Sequence, residues 1–193
     1  MKKIGILGDI GSGKSLFAKQ FGYPVFNADK EVINIYKKNY NCFKKLRQKF
    51  PSLIKNFPIK KKDIIKVMLC KSINIIKLGE IVHPFVNKKL KAFIKKNSKE
   101  NMKYVVLDIP LLMENNLIDK KMILIFLKTK KKEVIKNLKL RPNFNKKIYT
   151  IVKKNQLPLS LKKKKCRFIL TNDFKKGTFK TYIKMIKKEL SND

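Results

Sequence analysis

The residues best suited to chemistry lie near the amino end of the chain, in the run Gly8-Asp9-Ile10-Gly11-Ser12-Gly13-Lys14-Ser15. This run fits the G-x-x-x-x-G-K-[ST] pattern of a phosphate-binding loop. Its glycines permit a backbone in which successive N–H groups converge on phosphate oxygens. In such a loop the lysine reaches the β- and γ-phosphates and the hydroxyl of Ser15 holds Mg²⁺. The sequence therefore predicts a nucleotide-phosphate site, and a chance glycine-rich turn is the alternative.

The segments on either side of this run are the ones that a phosphate-binding loop needs. Residues 4–7 form a short apolar run that predicts a buried strand, and the apolar positions in 16–21 are spaced as on one face of a helix. A strand, a glycine-rich turn and a helix therefore follow one another, and the dipole of the helix favours an anion at its amino end.

Two acids follow predicted strands and are candidates for catalysis or metal binding. Asp29 ends the run 23–29, and Asp108 closes the β-branched run that begins at Tyr104. Ligands of parallel α/β sheets sit at the carboxyl ends of the strands. Asp29 could therefore act as a base toward a substrate hydroxyl, or it could cap the helix that follows. Asp108 occupies a Walker-B-like position, which could bind Mg²⁺ directly or through water.

The remaining chain alternates predicted strands and helices. Strands are expected over 122–127 and 168–170, and helices over 131–140 and 179–190. Such alternation predicts an α/β fold with a parallel, doubly wound sheet. Residues 39–97 have helical spacing and predict a helical insertion. The single histidine, His83, is expected as a helix-start residue before Pro84.

Length and composition fit one domain with a sizeable core, because the chain has 193 residues of which 44% are hydrophobic. Its three cysteines form no C-x-x-C pair, which favours a reducing cytosol over a disulfide framework or zinc site. The amino end leads straight into the first strand, so no signal peptide is expected. No apolar run approaches the roughly 18 residues of a membrane span. We therefore expect a cytoplasmic protein without a membrane partner.

The formal charge of +36 has two interpretations. Only three of the 49 basic residues are arginine, although base reading and bidentate phosphate binding favour arginine. The abundance of Lys, Asn, Ile, Phe and Tyr is typical of compositional drift in an AT-rich genome. The alternative is a surface selected to bind polyanions. In either case a positive field raises the local concentration of phosphorylated ligands.

The chain resembles the dephospho-coenzyme A kinase family, a group of P-loop kinases, over almost its whole length. Five motifs in the same order carry the resemblance. They are residues 5–15, Asn27-Ala28-Asp29, Val82-His83-Pro84, Pro110-Leu111-Leu112-Met113-Glu114, and Gln156-Leu157-Pro158-Leu159 followed by Asn172.

This resemblance implies phosphorylation of the ribose 3′-hydroxyl of dephospho-coenzyme A by ATP, with Mg²⁺, to give coenzyme A. It implies one P-loop NTPase domain over 1–193, with a five-stranded parallel sheet, a helical substrate-binding insertion and a lid. The nucleotide-binding core would comprise about 1–38, 98–140 and 164–193. The insertion, about 39–97, would bind coenzyme A, and about 141–163 would form the lid. ATP and dephospho-coenzyme A are then the expected partners, and no specific nucleic acid is expected.

The resemblance also assigns roles to single residues. The implied ATP-binding residues are Gly11, Ser12, Gly13, Lys14, Ser15, Leu16 and Asn172. The implied substrate-binding residues are His83, Pro84, Leu112 and Glu114. From its position after the strand that ends at Asp108, we expect Glu114 to be exposed near the same edge of the sheet. Asp29 matches the proposed catalytic base, while Lys14 and the lid arginine Arg141 supply positive charge to the γ-phosphate. The implied metal ligands are Ser15 and, through water, Asp108.

The chain departs from the family pattern at four positions. Asn27 replaces an acid, Asp9 a small glycine, Asn137 an arginine, and Pro142 the acid that usually follows Arg141. The charge of the lid would then rest on lysines, which bind phosphate less directionally.

Two other functions remain open. One is a P-loop kinase for another small acceptor, such as a nucleoside or nucleotide, which would not account for His83-Pro84. The other is a lysine-rich P-loop protein that binds nucleic acid, with strong salt dependence.

Overall fold

The computed structural model describes residues 1–140, 144–175 and 177–191. Within them five strands and nine helices follow one another along the chain. They are β1 (Lys2–Gly8), α1 (Lys14–Gln20), β2 (Val25–Asn27), α2 (Ala28–Lys38), α3 (Tyr40–Lys49), α4 (Lys61–Cys70), α5 (Asn74–Lys99), β3 (Tyr104–Asp108), β4 (Ile123–Lys128), α6 (Lys131–Lys139), α7 (Lys146–Lys154), α8 (Leu159–Lys164), β5 (Phe168–Thr171) and α9 (Thr178–Ser191).

The elements divide into two units. The first comprises Met1–Asn27, Asn97–Phe144 and Gln156–Asp193, and the second comprises Ala28–Lys96 and Asn145–Asn155.

The first unit contains a five-stranded sheet in the order β2-β3-β1-β4-β5, in which all pairs are parallel. β1 is the central strand, and residues 4–8 are buried, as expected for a parallel strand covered on both faces. The loop after β1 therefore begins at the carboxyl edge of the sheet, where ligands of such folds bind. The predicted five-stranded parallel α/β fold is confirmed.

The core of the first unit joins the sheet to α1 and α9. Phe17 of α1 meets Phe179 of α9 edge to face, with 5.0 Å between ring centroids. The phenol of Tyr104 on β3 donates to the carbonyl of Leu190 at 2.8 Å, which satisfies a buried hydroxyl. These contacts fix the helix that begins directly after the glycine-rich loop.

The second unit is helical, as the spacing over 39–97 predicts, and consists of α2, α3, α4, α7 and most of α5. Asparagines cap two of these helices. The side chain of Asn39 accepts the N–H of Cys42 at 2.9 Å, and that of Asn145 accepts the N–H of Ile148 at 3.1 Å.

Two local expectations were wrong. His83 and Pro84 lie inside α5, which begins nine residues earlier at Asn74, so they do not start a helix. Asp29 is neither the end of a strand nor a helix cap, because β2 ends at Asn27 and α2 begins at Ala28. It lies in the first turn of α2, where a carboxylate interacts favourably with the helix dipole.

Over the described ranges, no helix combines the length and apolar character needed to cross a membrane.

Candidate active site

The loop between β1 and α1 has a backbone that requires glycine at two closely packed positions. Gly11 and Gly13 have φ of 82° and 88°. A Cβ at Gly13 would lie 2.7 Å from Nδ2 of Asn172, and one at Gly11 would lie 2.9 Å from Cγ of Leu138. Both the backbone conformation and the lack of space therefore exclude larger residues at Gly11 and Gly13. Such a backbone allows successive N–H groups to approach a phosphate.

Two amide side chains, distant in sequence, hold this loop. Asn172, which is buried, donates from Nδ2 to the carbonyl of Ser12 at 2.9 Å. Gln156 donates from Nε2 to the carbonyl of Gly8 at 3.2 Å. The two residues of the last sequence motif thus support the loop at both ends, and Asn172 also accepts the N–H of Phe174 at 2.9 Å.

The positive and negative side chains of the loop contact its own backbone. The ammonium of Lys14 donates to the carbonyls of Asp9 at 2.7 Å and Gly8 at 3.3 Å. The carboxylate of Asp9 accepts the N–H of Ile10 at 2.6 Å. The Asp9 carboxylate therefore engages the N–H group of Ile10, which could otherwise donate to a phosphate. It also adds a negative charge to a loop that is suited to an anion.

We expect Asp9→Gly to bind ATP more tightly. Freeing one amide hydrogen bond, worth about 1 kcal/mol, should lower the Kd for ATP roughly fivefold. Isothermal titration of wild type, Asp9→Gly and Asp9→Asn would measure the effect, because asparagine keeps the side-chain acceptor without its charge. An unchanged Kd in Asp9→Gly would contradict this account of the loop.

An amide and a carboxylate meet at the carboxyl edge of the sheet. Asn27 on β2 and Asp108 on β3 are register partners, and Nδ2 of Asn27 donates to Oδ2 of Asp108. Asp108 is buried with only 3% of its surface exposed. Where the family usually has a second acid, this chain has a neutral donor, so the pairing avoids placing two carboxylates side by side.

Glu114 is an internal ion-pair partner, so the expected exposure of this residue was wrong. Its Oε1 lies 2.6 Å from Nζ of Lys162 and accepts the N–H of Leu157 at 3.0 Å. The side chains of Glu114 and Lys162 are 10% and 1% exposed. Leu112 is fully buried, and its Cδ2 would lie 2.7 Å from a Cβ at Gly5, which places it in the packing beneath β1.

Removal of the Glu114 carboxylate should destabilise the protein strongly. Glu114→Ala leaves the ammonium of Lys162 buried without its anion, and breaking such a pair costs about 3 kcal/mol. Glu189→Ala is the matched control, since Glu189 pairs with Arg167 at an exposed site and should cost under about 1 kcal/mol. Urea denaturation measures the free energy of unfolding of both variants. Equal losses would contradict the claim that the buried ion pair contributes more to stability than the exposed one.

The second unit carries three further candidate residues. Asp29 is exposed in the first turn of α2, and His83 and Pro84 are exposed on α5. Desolvation by neighbouring protein atoms lowers the pKa of the His83 imidazole below its usual range. Its ring lies against the preceding turn, where a Cβ at Gly79 would be 3.0 Å from Cε1. Arg141 and Pro142 lie outside the described residues.

The comparison with protein families decides the identity of the chain. The model of the dephospho-CoA kinase family matches residues 2–177, most of the chain. The chain belongs to the dephospho-CoA kinase family. This family uses ATP to phosphorylate dephospho-CoA to coenzyme A, the last step of coenzyme A biosynthesis. The family assignment implied by the five motifs is confirmed.

Individual dephospho-CoA kinases are similar over most of their length. The chain is 32% identical to the Bartonella quintana enzyme over 174 residues, which cover 88% of each protein. It is 29% identical to the Ehrlichia canis enzyme over 192 residues, covering 97% of this chain and 96% of that one.

Solved structures share the fold. TT1252 from Thermus thermophilus matches with a TM-score of 0.76 at 23% identity, covering 98% of this chain and 97% of that one. Dephospho-CoA kinase from Campylobacter jejuni matches with a TM-score of 0.66 at 24% identity, covering 100% of this chain and 98% of that one.

Contacts join several of the dephospho-CoA kinase motifs. Within the first unit, the glycine-rich loop, Gln156 and Asn172 are in contact, while Glu114 contacts Leu157 of the last motif. Lys162 was missed, because a lysine in the run 162–165 gives no sequence signal that it is buried. Asn27 and Asp108 each lie at the carboxyl end of their strand, and that shared position is the sequence signal that could have linked them.

Proposed function

We propose that this dephospho-CoA kinase transfers the γ-phosphoryl group of ATP to the ribose 3′-hydroxyl with Asp29 as the base. The observation that carries the proposal is the glycine-rich loop, whose backbone is held by Asn172 and Gln156 at the end of the central strand. Phosphoryl transfer has a loose transition state, so positioning and charge neutralisation contribute most of the rate. A loop that is fixed before ATP binds suits that requirement.

In this proposal the loop residues bind the phosphates of ATP. The backbone from Gly11 to Leu16 donates to phosphate oxygens, and the ammonium of Lys14 moves from loop carbonyls to the γ-phosphate. A hydrogen bond from this ammonium to an anionic phosphate oxygen would be stronger than those to the neutral carbonyls of Gly8 and Asp9. Asn172, which supports the loop through Ser12, acts here as a positioning residue.

The residues at this edge also fit Mg²⁺. Kinase sites bind Mg²⁺ through one or two protein oxygens together with substrate phosphates, and complete the octahedron with water. The exposed hydroxyl of Ser15 and the carboxylate of Asp108 offer such oxygens. In the described part of the chain no three His, Cys, Asp or Glu side chains form a metal cluster, which this binding mode does not need. A bound Mg²⁺ would neutralise phosphate charge.

Asp29 would orient the 3′-hydroxyl and accept its proton late in the transfer. Its position two residues beyond β2, at the start of α2, supports this role, as does its exposure. The helix dipole stabilises the ionised carboxylate that a base requires. Removing the proton as the new O–P bond forms then leaves a neutral phosphoester oxygen.

The other assignments concern the acceptor. We propose that the second unit binds dephospho-CoA through residues that include the exposed His83 and Pro84, and that the segment around α7 forms part of a lid. Arg141 would add charge to the γ-phosphate, and a closing lid would exclude water and suppress hydrolysis of ATP. Glu114 and Leu112 would shape the acceptor site through the segments they hold, since both are largely buried.

The protein would work in the cytoplasm without a specific nucleic acid partner.

Two of the cysteines are poorly reactive. Burial raises the pKa of Cys42 to about 11 and of Cys166 to about 12, so these thiols stay protonated. The lysine-rich surface would concentrate phosphorylated ligands near the site.

A product assay tests the proposal. The purified protein would be incubated with Mg-ATP and either dephospho-CoA, adenosine or a nucleoside monophosphate, and products separated by mass and by phosphate position. We expect the 3′-phosphorylated product from dephospho-CoA to form far faster than any other. Preferred turnover of a nucleoside would instead favour the alternative of another small acceptor.

A further inference from the structure

The carbonyl of Gly8, the last residue of β1, accepts hydrogen bonds from two side chains. Nζ of Lys14 lies 3.3 Å from this oxygen, and Nε2 of Gln156 lies 3.2 Å from it. Both distances are longer than the commonest N–H···O distance in proteins, about 2.9 to 3.0 Å. The ammonium and the amide therefore share one acceptor, each at a longer distance than usual.

The two donors behave differently in the proposed reaction. When ATP binds, Lys14 exchanges the carbonyls of Gly8 and Asp9 for the γ-phosphate. Each hydrogen bond that the ammonium gives up opposes this movement, because the carbonyl loses a donor. The amide of Gln156 is neutral and is attracted to phosphate less strongly than an ammonium. It can therefore stay at Gly8 while Lys14 moves, and close to an ordinary hydrogen-bond distance.

The backbone next to Gln156 is held by a different part of the chain. Oε1 of Glu114, in the turn after β3, accepts the N–H of Leu157 at 3.0 Å. The same oxygen lies 2.6 Å from Nζ of Lys162, whose side chain is 1% exposed. A buried carboxylate that lost its partners would be costly, so these contacts fix the backbone at position 157. They do so without involving Lys14.

We propose that Gln156 is a positioning residue that lowers the free energy needed to move the Lys14 ammonium from the loop to a phosphate of ATP. It acts through the Gly8 carbonyl and not through contact with the nucleotide. The proposal rests on the proposed function, which takes Lys14 to the γ-phosphate. It gives a role in the reaction to an amide that lies 148 positions from Gly8 in the sequence.

Two other roles for Gln156 predict a different result. If the amide only stabilises the loop, its removal weakens ATP binding whether or not Lys14 is present. The same is true if the amide contacts a phosphate directly. Only an effect that acts through Lys14 disappears when the ammonium is absent, so a double-mutant cycle separates these roles.

Gln156→Met removes the donor and keeps the approximate length of the side chain. Gln20→Met is the matched control, because Gln20 is exposed and lies at the end of α1, away from the loop. Each substitution is made both in wild type and in Lys14→Ala. Urea denaturation would check that every protein is folded.

The first readout is isothermal titration of the full-length proteins with Mg²⁺ and a non-hydrolysable ATP analogue, which requires no acceptor. In wild type we expect Gln156→Met to raise the Kd for the analogue about fivefold, the effect of one ordinary hydrogen bond. In Lys14→Ala the same substitution should change the Kd by less than about twofold. Gln20→Met should leave the Kd unchanged in both backgrounds. Equal increases in both backgrounds for Gln156→Met, or no increase in wild type, would overturn the proposal.

The second readout is initial-rate kinetics with dephospho-CoA. In Gln156→Met, kcat/KM for ATP should fall about fivefold, while the KM for dephospho-CoA stays within about twofold of wild type. A rise in the KM for dephospho-CoA as large as the loss in kcat/KM for ATP would indicate that Gln156 acts on the acceptor, and would overturn the proposal. Should wild type not phosphorylate dephospho-CoA, the proposed function fails, and the titration with the ATP analogue still decides the role of Gln156.

Discussion

Asp29→Asn should retain ATP binding and lose phosphoryl transfer, with kcat lowered on the order of 10³-fold to 10⁴-fold. Asparagine has nearly the same shape and still accepts a hydrogen bond, but it cannot take the proton of the 3′-hydroxyl. The loss should therefore appear in kcat, while the Kd for ATP stays within about twofold of wild type. Single-turnover kinetics with dephospho-CoA and isothermal titration with ATP measure the two quantities separately.

Glu31→Gln is the control for this variant. Glu31 lies in the same first turn of α2, so its carboxylate interacts with the same helix dipole. If Asp29 served only to stabilise the helix, both variants would behave alike, with a small loss of stability and nearly normal kcat. Wild-type turnover in Asp29→Asn would remove Asp29 as the base.

Lys14→Ala should lower kcat/KM for ATP on the order of 10²-fold to 10³-fold, the usual effect of deleting one donor to a developing charge. The variant loses the ammonium but none of the loop amides, so ATP binding should weaken without disappearing. Because Lys14 is bonded to the Gly8 and Asp9 carbonyls, some loss of stability is also expected, on the order of 1 kcal/mol.

Lys19→Ala, on the last turn of α1, provides the matched control. It removes the same charge from the same helix, so it reports any effect of the general positive field. Initial rates at several salt concentrations would separate the direct contact of Lys14 from the effect of the general positive field. Salt screens the field more strongly than it weakens a hydrogen bond from the Lys14 ammonium to phosphate. Normal kinetics in Lys14→Ala would contradict the assignment of the loop.

The fold could be predicted because local signals agreed with one another. The apolar runs at 4–7 and 104–107 have the length and β-branching of buried parallel strands, and each is followed by a turn or a helix pattern. The glycine spacing then fixed where the central strand ends. The predicted strand over 23–29 was too long, because only the three residues of β2 pair and Asp29 falls beyond the strand.

The side-chain contacts of the site could not be predicted, because they depend on distant pairs. Nothing at Gln156 indicates that its amide reaches Gly8, 148 positions earlier. Lys162 is chemically identical to its neighbours in a lysine run, and only the path of α8 buries it against Glu114. For the same reason Glu114, in the turn after β3, was wrongly expected to be exposed, since a sequence pattern gives residue identity without burial.

Crystallography of the full-length protein with a non-hydrolysable ATP analogue, Mg²⁺ and dephospho-CoA would test the central claim most directly. We predict the γ-phosphate at the Lys14 ammonium and the Asp29 carboxylate at a hydrogen-bond distance of about 2.6 to 3.2 Å from the ribose 3′-hydroxyl. A ternary complex in which another group contacts that hydroxyl, with Asp29 turned to solvent, would contradict the account.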